Sequence, residues 1–184
     1  MTAEEFLLEV VSALESSSTP YMVTGSFASS MLGMPRTTRD LNVVVELDPQ
    51  GLDAFLGRFD SGTWYLDPQT AQECVLRRSM FNAIHVDSGW KVDFVVRKDH
   101  PWSREEFARR QPLEFDGRSV FFVRAEDSIL SKPVWAKERG SDRQIEDAGQ
   151  VVDLQRPILD LEYLRQWSSS LGVSGLLDRI LRKT

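Results

Sequence analysis

The chain has 184 residues, a formal net charge of -6 and 41% hydrophobic content, enough for one domain with an ordinary core or a domain with a helical appendage. The acidic balance argues against broad, nonspecific nucleic-acid binding, which Lys and Arg supply by neutralising phosphates. A single cysteine excludes an internal disulfide, and with only two histidines it excludes a structural zinc site. The apolar runs are short and broken by charge, and no secretory-type leader pattern opens the chain, so a cytoplasmic protein without a membrane partner is expected.

In chain order, Phe6, Leu7, Val10, Val11 and Leu14 recur at helical spacing, and Thr2 with Glu5 matches a capping box, which predicts an amphipathic helix over residues 3–15. SSSTP ends it, YMVTG reads as a first strand and LNVVVEL as a second, closed by Asp48-Pro49. GLDAFLGRF then reads as a helix covering one sheet face, and QTAQECVLRR as another, with Cys74 a half-buried structural thiol and Arg77 and Arg78 on a solvated face. MFNAIHV and WKVDFVV, joined through Asp87-Ser88-Gly89, form a predicted hairpin that carries Asp93 and His85, the latter read as a packed or surface residue and not a ligand. Ser103 with Glu106 signals a helix start for SREEFARRQ, and LEFDGRSVFFV reads as a second hairpin around Asp116-Gly117.

From Ala125 the pattern is helical only: AEDSILSKPVWAKE, SDRQIEDAGQVVDL, LEYLRQWSSSLG and SGLLDRILRK. Pro133 predicts a kink or break in the first of these, and Leu161, Leu164 and Trp167 predict a core-facing stripe in the third. The expected organisation is an α+β (α/β) core over residues 1–124 with a helical region over 125–184 packed on it.

The stretch VTGSFASSMLGMPRTTRDLNVVVEL combines a strand, a Gly-Ser turn, a short helix, a Gly/Pro/Arg loop and a strand opening on a carboxylate. Strand alternation puts Asp40 and Asn42 on one face, with Leu41 turned away. Gly25 permits a tight turn and a close approach to phosphate, and Ser26 with the amides after it can donate hydrogen bonds at a helix N-terminus. Arg36 and Arg39 add local positive charge beside it.

This order resembles the nucleotidyltransferase superfamily, whose members pair a Gly-Ser turn with an Asp-x-Asp on the next strand and a third carboxylate further on. Gly25, Ser26, Asp40 and Asp93 match; Asn42 stands where the second Asp of the pair is expected. FNAIHVDSGWKVDFVV, EDSILSK and SDRQIEDA are further similar to small bacterial nucleotidyltransferase-like proteins related to the toxins of abortive-infection and toxin-antitoxin systems. The resemblance implies a mixed sheet flanked by helices with a C-terminal helical cap, in which Asp40, Asn42 and Asp93 converge at one edge beside Gly25-Ser26. It implies Asp40 and Asp93 as catalytic residues, Asp40, Asn42 and Asp93 as ligands of Mg²⁺ or Mn²⁺, and Gly25, Ser26, Arg39, Lys132, Arg143 and Asp147 as nucleotide-binding residues. Lys91 joins Lys132 and Arg39 as a candidate to neutralise triphosphate charge. The implied activity moves a nucleoside monophosphate from a nucleoside triphosphate to a hydroxyl of an RNA end or a protein, in a toxin with an antitoxin-like partner.

Asn42 leaves a second reading open. An amide oxygen still coordinates Mg²⁺, but losing one negative charge beside a divalent cation removes attraction on the order of several kcal/mol at an effective dielectric near about 20. A nucleotide-binding or protein-interaction module without turnover is therefore the alternative.

Overall fold

The computed structural model describes residues 1–32, 39–139 and 142–183. The chain divides into two compact units, one of Met1–Thr24 with Thr37–Phe122 and the other of Gly25–Arg36 with Val123–Thr184.

The first unit opens with α1 (Ala3–Ser16), started by the expected capping box: Glu5 N–H donates to Thr2 Oγ1 and Thr2 N–H to Glu5 Oε2. After β1 (Tyr21–Thr24) come α2 (Gly25–Leu32), which belongs to the second unit, and β2 (Asp40–Val45). There follow α3 (Leu52–Leu56), β3 (Trp64–Tyr65), α4 (Pro68–Arg77), β4 (Met80–His85), β5 (Lys91–Val96), α5 (Pro101–Ala108), β6 (Gln111–Phe115) and β7 (Arg118–Phe122). Among the described residues the strands make one seven-stranded mixed sheet in the order β3-β4-β5-β2-β1-β7-β6. Pairing is parallel between β2 and β5 and between β1 and β7, and antiparallel elsewhere. Both predicted hairpins form, the second with Asp116 and Gly117 at positive φ, the geometry a two-residue hairpin turn requires.

One register row, Phe81, Phe94, Val43, Val23 and Phe122, crosses five strands and is buried throughout. Phe55 meets Phe81 and Phe94 edge-on, Phe59 joins Phe94 and Trp64, and Phe6 from α1 stacks on Trp90. This aromatic packing fixes which face of β4, β5, β2 and β1 is the core, because a shift of one residue would exchange the faces. The residues between, Asp93 and Asn42 among them, necessarily turn to the opposite face. His85 is buried edge-on against Trp64, and the half-buried Cys74 thiol donates to Met80 O, so both are packing residues. Arg77 and Arg78 are exposed.

One local expectation in this unit is corrected. The cap of α5 is His100, whose Nδ1 accepts from Ser103 N–H with Pro101 at the first helical position, while Ser103 Oγ donates to Glu106 inside the helix. Strand β3 has no counterpart in the expected elements: it is two residues with no alternation of their own, held by pairing to β4.

In the second unit, α2 is joined by α6 (Ala125–Arg139), α7 (Asp142–Gln155), a 3-10 turn at Arg156–Ile158, α8 (Leu161–Ser170) and α9 (Ser174–Lys183). Helix α6 packs against α2, α7, α8 and α9, which accounts for its burial on every side in the first turns. Its buried polar groups are paired within the unit: Tyr163 Oη donates to Asp127 at 2.5 Å, and Asp160 N–H donates to Glu126 at 3.1 Å. Of the kink or break expected at Pro133, the break does not occur; α6 runs through it. The stripe expected on α8 is also shifted, since Leu161 is exposed and the buried face is Tyr163, Leu164 and Ser168.

Candidate active site

The strand carrying Asp40 and the strand carrying Asp93 are parallel neighbours in the middle of the sheet, so the acidic residues meet on a sheet face at the start of two interior strands and not along an outer one. Register places Asp40 opposite Lys91 and Asn42 opposite Asp93. A polar row continues on both sides, Thr24 opposite Asn42 and Asn82 opposite Asp93. Thr24 is the residue immediately before Gly25.

Lys91 organises this face. Its Nζ is 3.0 Å from Asp93 Oδ2 and 3.6 Å from Asp40 Oδ1, so the two carboxylates can be no farther apart than those distances together. Partial burial of the ammonium would lower its pKa, but the hydrogen bond and charge of Asp93, aided by Asp40, outweigh this and hold it above the ordinary lysine value. Asp93 is 8% exposed, and its Oδ1 is buried with no hydrogen-bond partner among the described residues. A carboxylate oxygen in that state is costly unless a ligand satisfies it.

The donor set fits a hard divalent cation in kind: carboxylate oxygens of Asp40 and Asp93 and the amide oxygen of Asn42 are the ligands Mg²⁺ prefers. It is nonetheless thin in charge, and among the described residues no three His, Cys, Asp or Glu side chains are grouped to hold a metal.

The remaining candidates lie as follows. Arg39 is exposed and its carbonyl accepts from Lys91 N–H at 3.2 Å. Gly25 has φ 69°, the left-handed region that favours glycine, and its carbonyl accepts from Ser29 Oγ, while the half-buried Ser26 receives Ser30 Oγ at its carbonyl. In the second unit Lys132 is 3% exposed with Nζ 3.4 Å from the buried Asp147, and Arg143 is exposed on the same helix as Asp147. Arg36 and the rest of residues 33–38 lie outside the described residues.

Thr24 and Asn82 are not among the residues read from the sequence; the register that sets Asn42 opposite Asp93 adds them to the row. The pairing of Lys91 with both acids was likewise hidden: the spacing of Lys91 and Asp93 shows a shared face, but only the parallel register brings Asp40 to the lysine.

No protein-family model and no curated protein sequence matches the chain. Solved structures do. The antibiotic-resistance factor ANT(2'')-Ia, in solution, is 14% identical with TM-score 0.57 over 90% of each chain. The same protein in complex with adenylyl-2''-tobramycin is 14% identical with TM-score 0.56 over 100% of this chain and 99% of that one. The lincosamide antibiotic adenylyltransferase LnuA, lincomycin-bound, is 10% identical with TM-score 0.57 over 83% of this chain and 98% of its own. At these identities the likeness is one of fold.

Proposed function

We propose that this chain, which has the nucleotidyltransferase fold, transfers a nucleoside monophosphate from a nucleoside triphosphate to an acceptor hydroxyl. The observation that carries the reading is Asp93: a buried carboxylate with one oxygen unpartnered among the described residues, set opposite Asn42 and near Asp40 on one sheet face. Asp40, Asn42 and Asp93 would hold Mg²⁺ or Mn²⁺, which when bound supplies charge neutralisation for the triphosphate and the leaving pyrophosphate. Asp93 is the group to accept the proton of the acceptor hydroxyl, because its Oδ1 is a carboxylate oxygen with no hydrogen-bond partner among the described residues. Gly25 and Ser26 orient the phosphates, Arg39 adds charge, and Lys132, Arg143 and Asp147 complete nucleotide binding.

The acceptor reading starts from two sources. The sequence resemblance suggests an RNA end or a protein, acted on by a cytoplasmic toxin with an antitoxin-like partner. The fold neighbours include proteins bound to tobramycin and lincomycin derivatives or parents. Incubation of the purified chain with each α-labelled triphosphate and Mg²⁺, in the presence of cell extract, tobramycin or lincomycin, separates these acceptors. Label on any of them supports transfer; none on any of them removes it.

Asn42 and the pairing of Lys91 with both carboxylates favour a second reading, a nucleotide-binding module without turnover. Saturable triphosphate binding without label transfer would establish it.

A further inference from the structure

Four side chains make a square on the face of β2 and β5 opposite the aromatic packing: Asp40 opposite Lys91, and Asn42 opposite Asp93. Their formal charges add to a single negative, where an Asp at position 42 would make two. The Lys91 side chain is one-third exposed and sits within 3.6 Å of both acids, and it occupies Asp93 Oδ2 while Oδ1 has no hydrogen-bond partner among the described residues.

We propose that Lys91 is the built-in cation of this site, standing where a second divalent ion would otherwise bridge Asp40 and Asp93, so that the site takes one divalent cation and takes it with the triphosphate. This rests on the reading of Asp40, Asn42 and Asp93 as cation-holding residues. Two divalent ions would bring four positive charges beside an ammonium and only two carboxylates, and Coulomb repulsion between the ammonium and a dication at such distances disfavours that arrangement strongly. One dication, ligated in part by phosphate oxygens, needs only the oxygen that Asp93 still offers and its neighbours. Asn42 is then a matched partner of Lys91: the neutral amide and the ammonium together keep the site near electroneutrality without resident metal.

The test is Mn²⁺ binding, read by the electron paramagnetic resonance of free Mn²⁺ and independent of turnover. Without nucleotide, Lys91→Met should bind Mn²⁺ at least about tenfold more tightly than the unaltered chain, and Lys91→Arg, which keeps the charge, should not. No gain in Lys91→Met, or an equal gain in Lys91→Arg, overturns the proposal. The unaltered chain gives a second reading that does not depend on a variant folding. With an α,β-methylene triphosphate it should take up one Mn²⁺ per chain, and two or none overturns the proposal. Label transfer by the unaltered chain alongside a failed Mn²⁺ result would remove the role of Lys91 and leave the proposed activity standing.

Discussion

Asn42 and Asp93 face each other across parallel strands β2 and β5, an amide opposite a buried carboxylate at the point where the resembling family has two acids. Asn42→Asp would place like charges directly opposite, a repulsion of about 0.2–1 kcal/mol or somewhat more where water is partly excluded. The metal-free variant should melt a few °C lower than the unaltered chain, and Mg²⁺ should reverse the loss by binding the folded form. Melting curves with and without Mg²⁺ check this; a variant indifferent to Mg²⁺ would show that the remaining oxygens do not bind it.

Gly25 turns the chain after β1 with φ 69°. A side chain there meets the left-handed penalty of about 1–2 kcal/mol and stands where a phosphate would approach the backbone. Gly25→Val should remain folded by circular dichroism with a lowered melting temperature and lose triphosphate affinity in calorimetry. Unchanged affinity would move the phosphate site elsewhere.

Lys132 and Asp147 are a buried ion pair in the helical unit, 3.4 Å apart. Lys132→Met removes the ammonium from beside the buried Asp147 carboxylate and should cost about 3–5 kcal/mol in urea unfolding. Adding Asp147→Leu should recover part of that loss, since both charges of this pair are then gone. Additive losses in the double variant would contradict the pairing.

Burial, together with the Glu15 carboxylate, pushes the Tyr21 phenol from 10.0 up to about 12. The unfolded chain then gives up this proton first as pH rises, so the folded state holds more protons between those values and stability falls across that window. Below the window the phenol is protonated in both states and contributes no slope. Tyr21→Phe should show a shallower decline there, read from urea midpoints below and within the window.

How far the sequence carries depends on the residue. The apolar runs of β2 and β5 and the Asp-Gly turn of the last hairpin specify their elements locally, and Asp40 and Asn42 share a face as strand alternation requires. What local pattern cannot encode is register, and register alone brings Lys91 to Asp40 and adds Thr24 and Asn82 to the row. Ser103 and Glu106 imitate a helix start, but Pro101 has no N–H and fits the first helical position, so the cap moves to His100. Helix α6 continues through Pro133 because tertiary packing on α2, α7, α8 and α9 offsets the roughly 3 kcal/mol a proline costs in a helix interior. Leu161 lies exposed at the start of α8, where Tyr163 takes the inward position by bonding Asp127.

The most direct measurement of the central claim is label transfer from α-labelled triphosphates with Mg²⁺ by the unaltered chain and by Asp93→Asn, each with its fold verified by circular dichroism. The account predicts Mg²⁺-dependent label on an acceptor with the unaltered chain, reduced at least about a hundredfold in Asp93→Asn, because a neutral amide neither accepts the hydroxyl proton nor offers the charge a dication needs. Equal transfer by both proteins, or no transfer by the unaltered chain with any of the triphosphates, would contradict it.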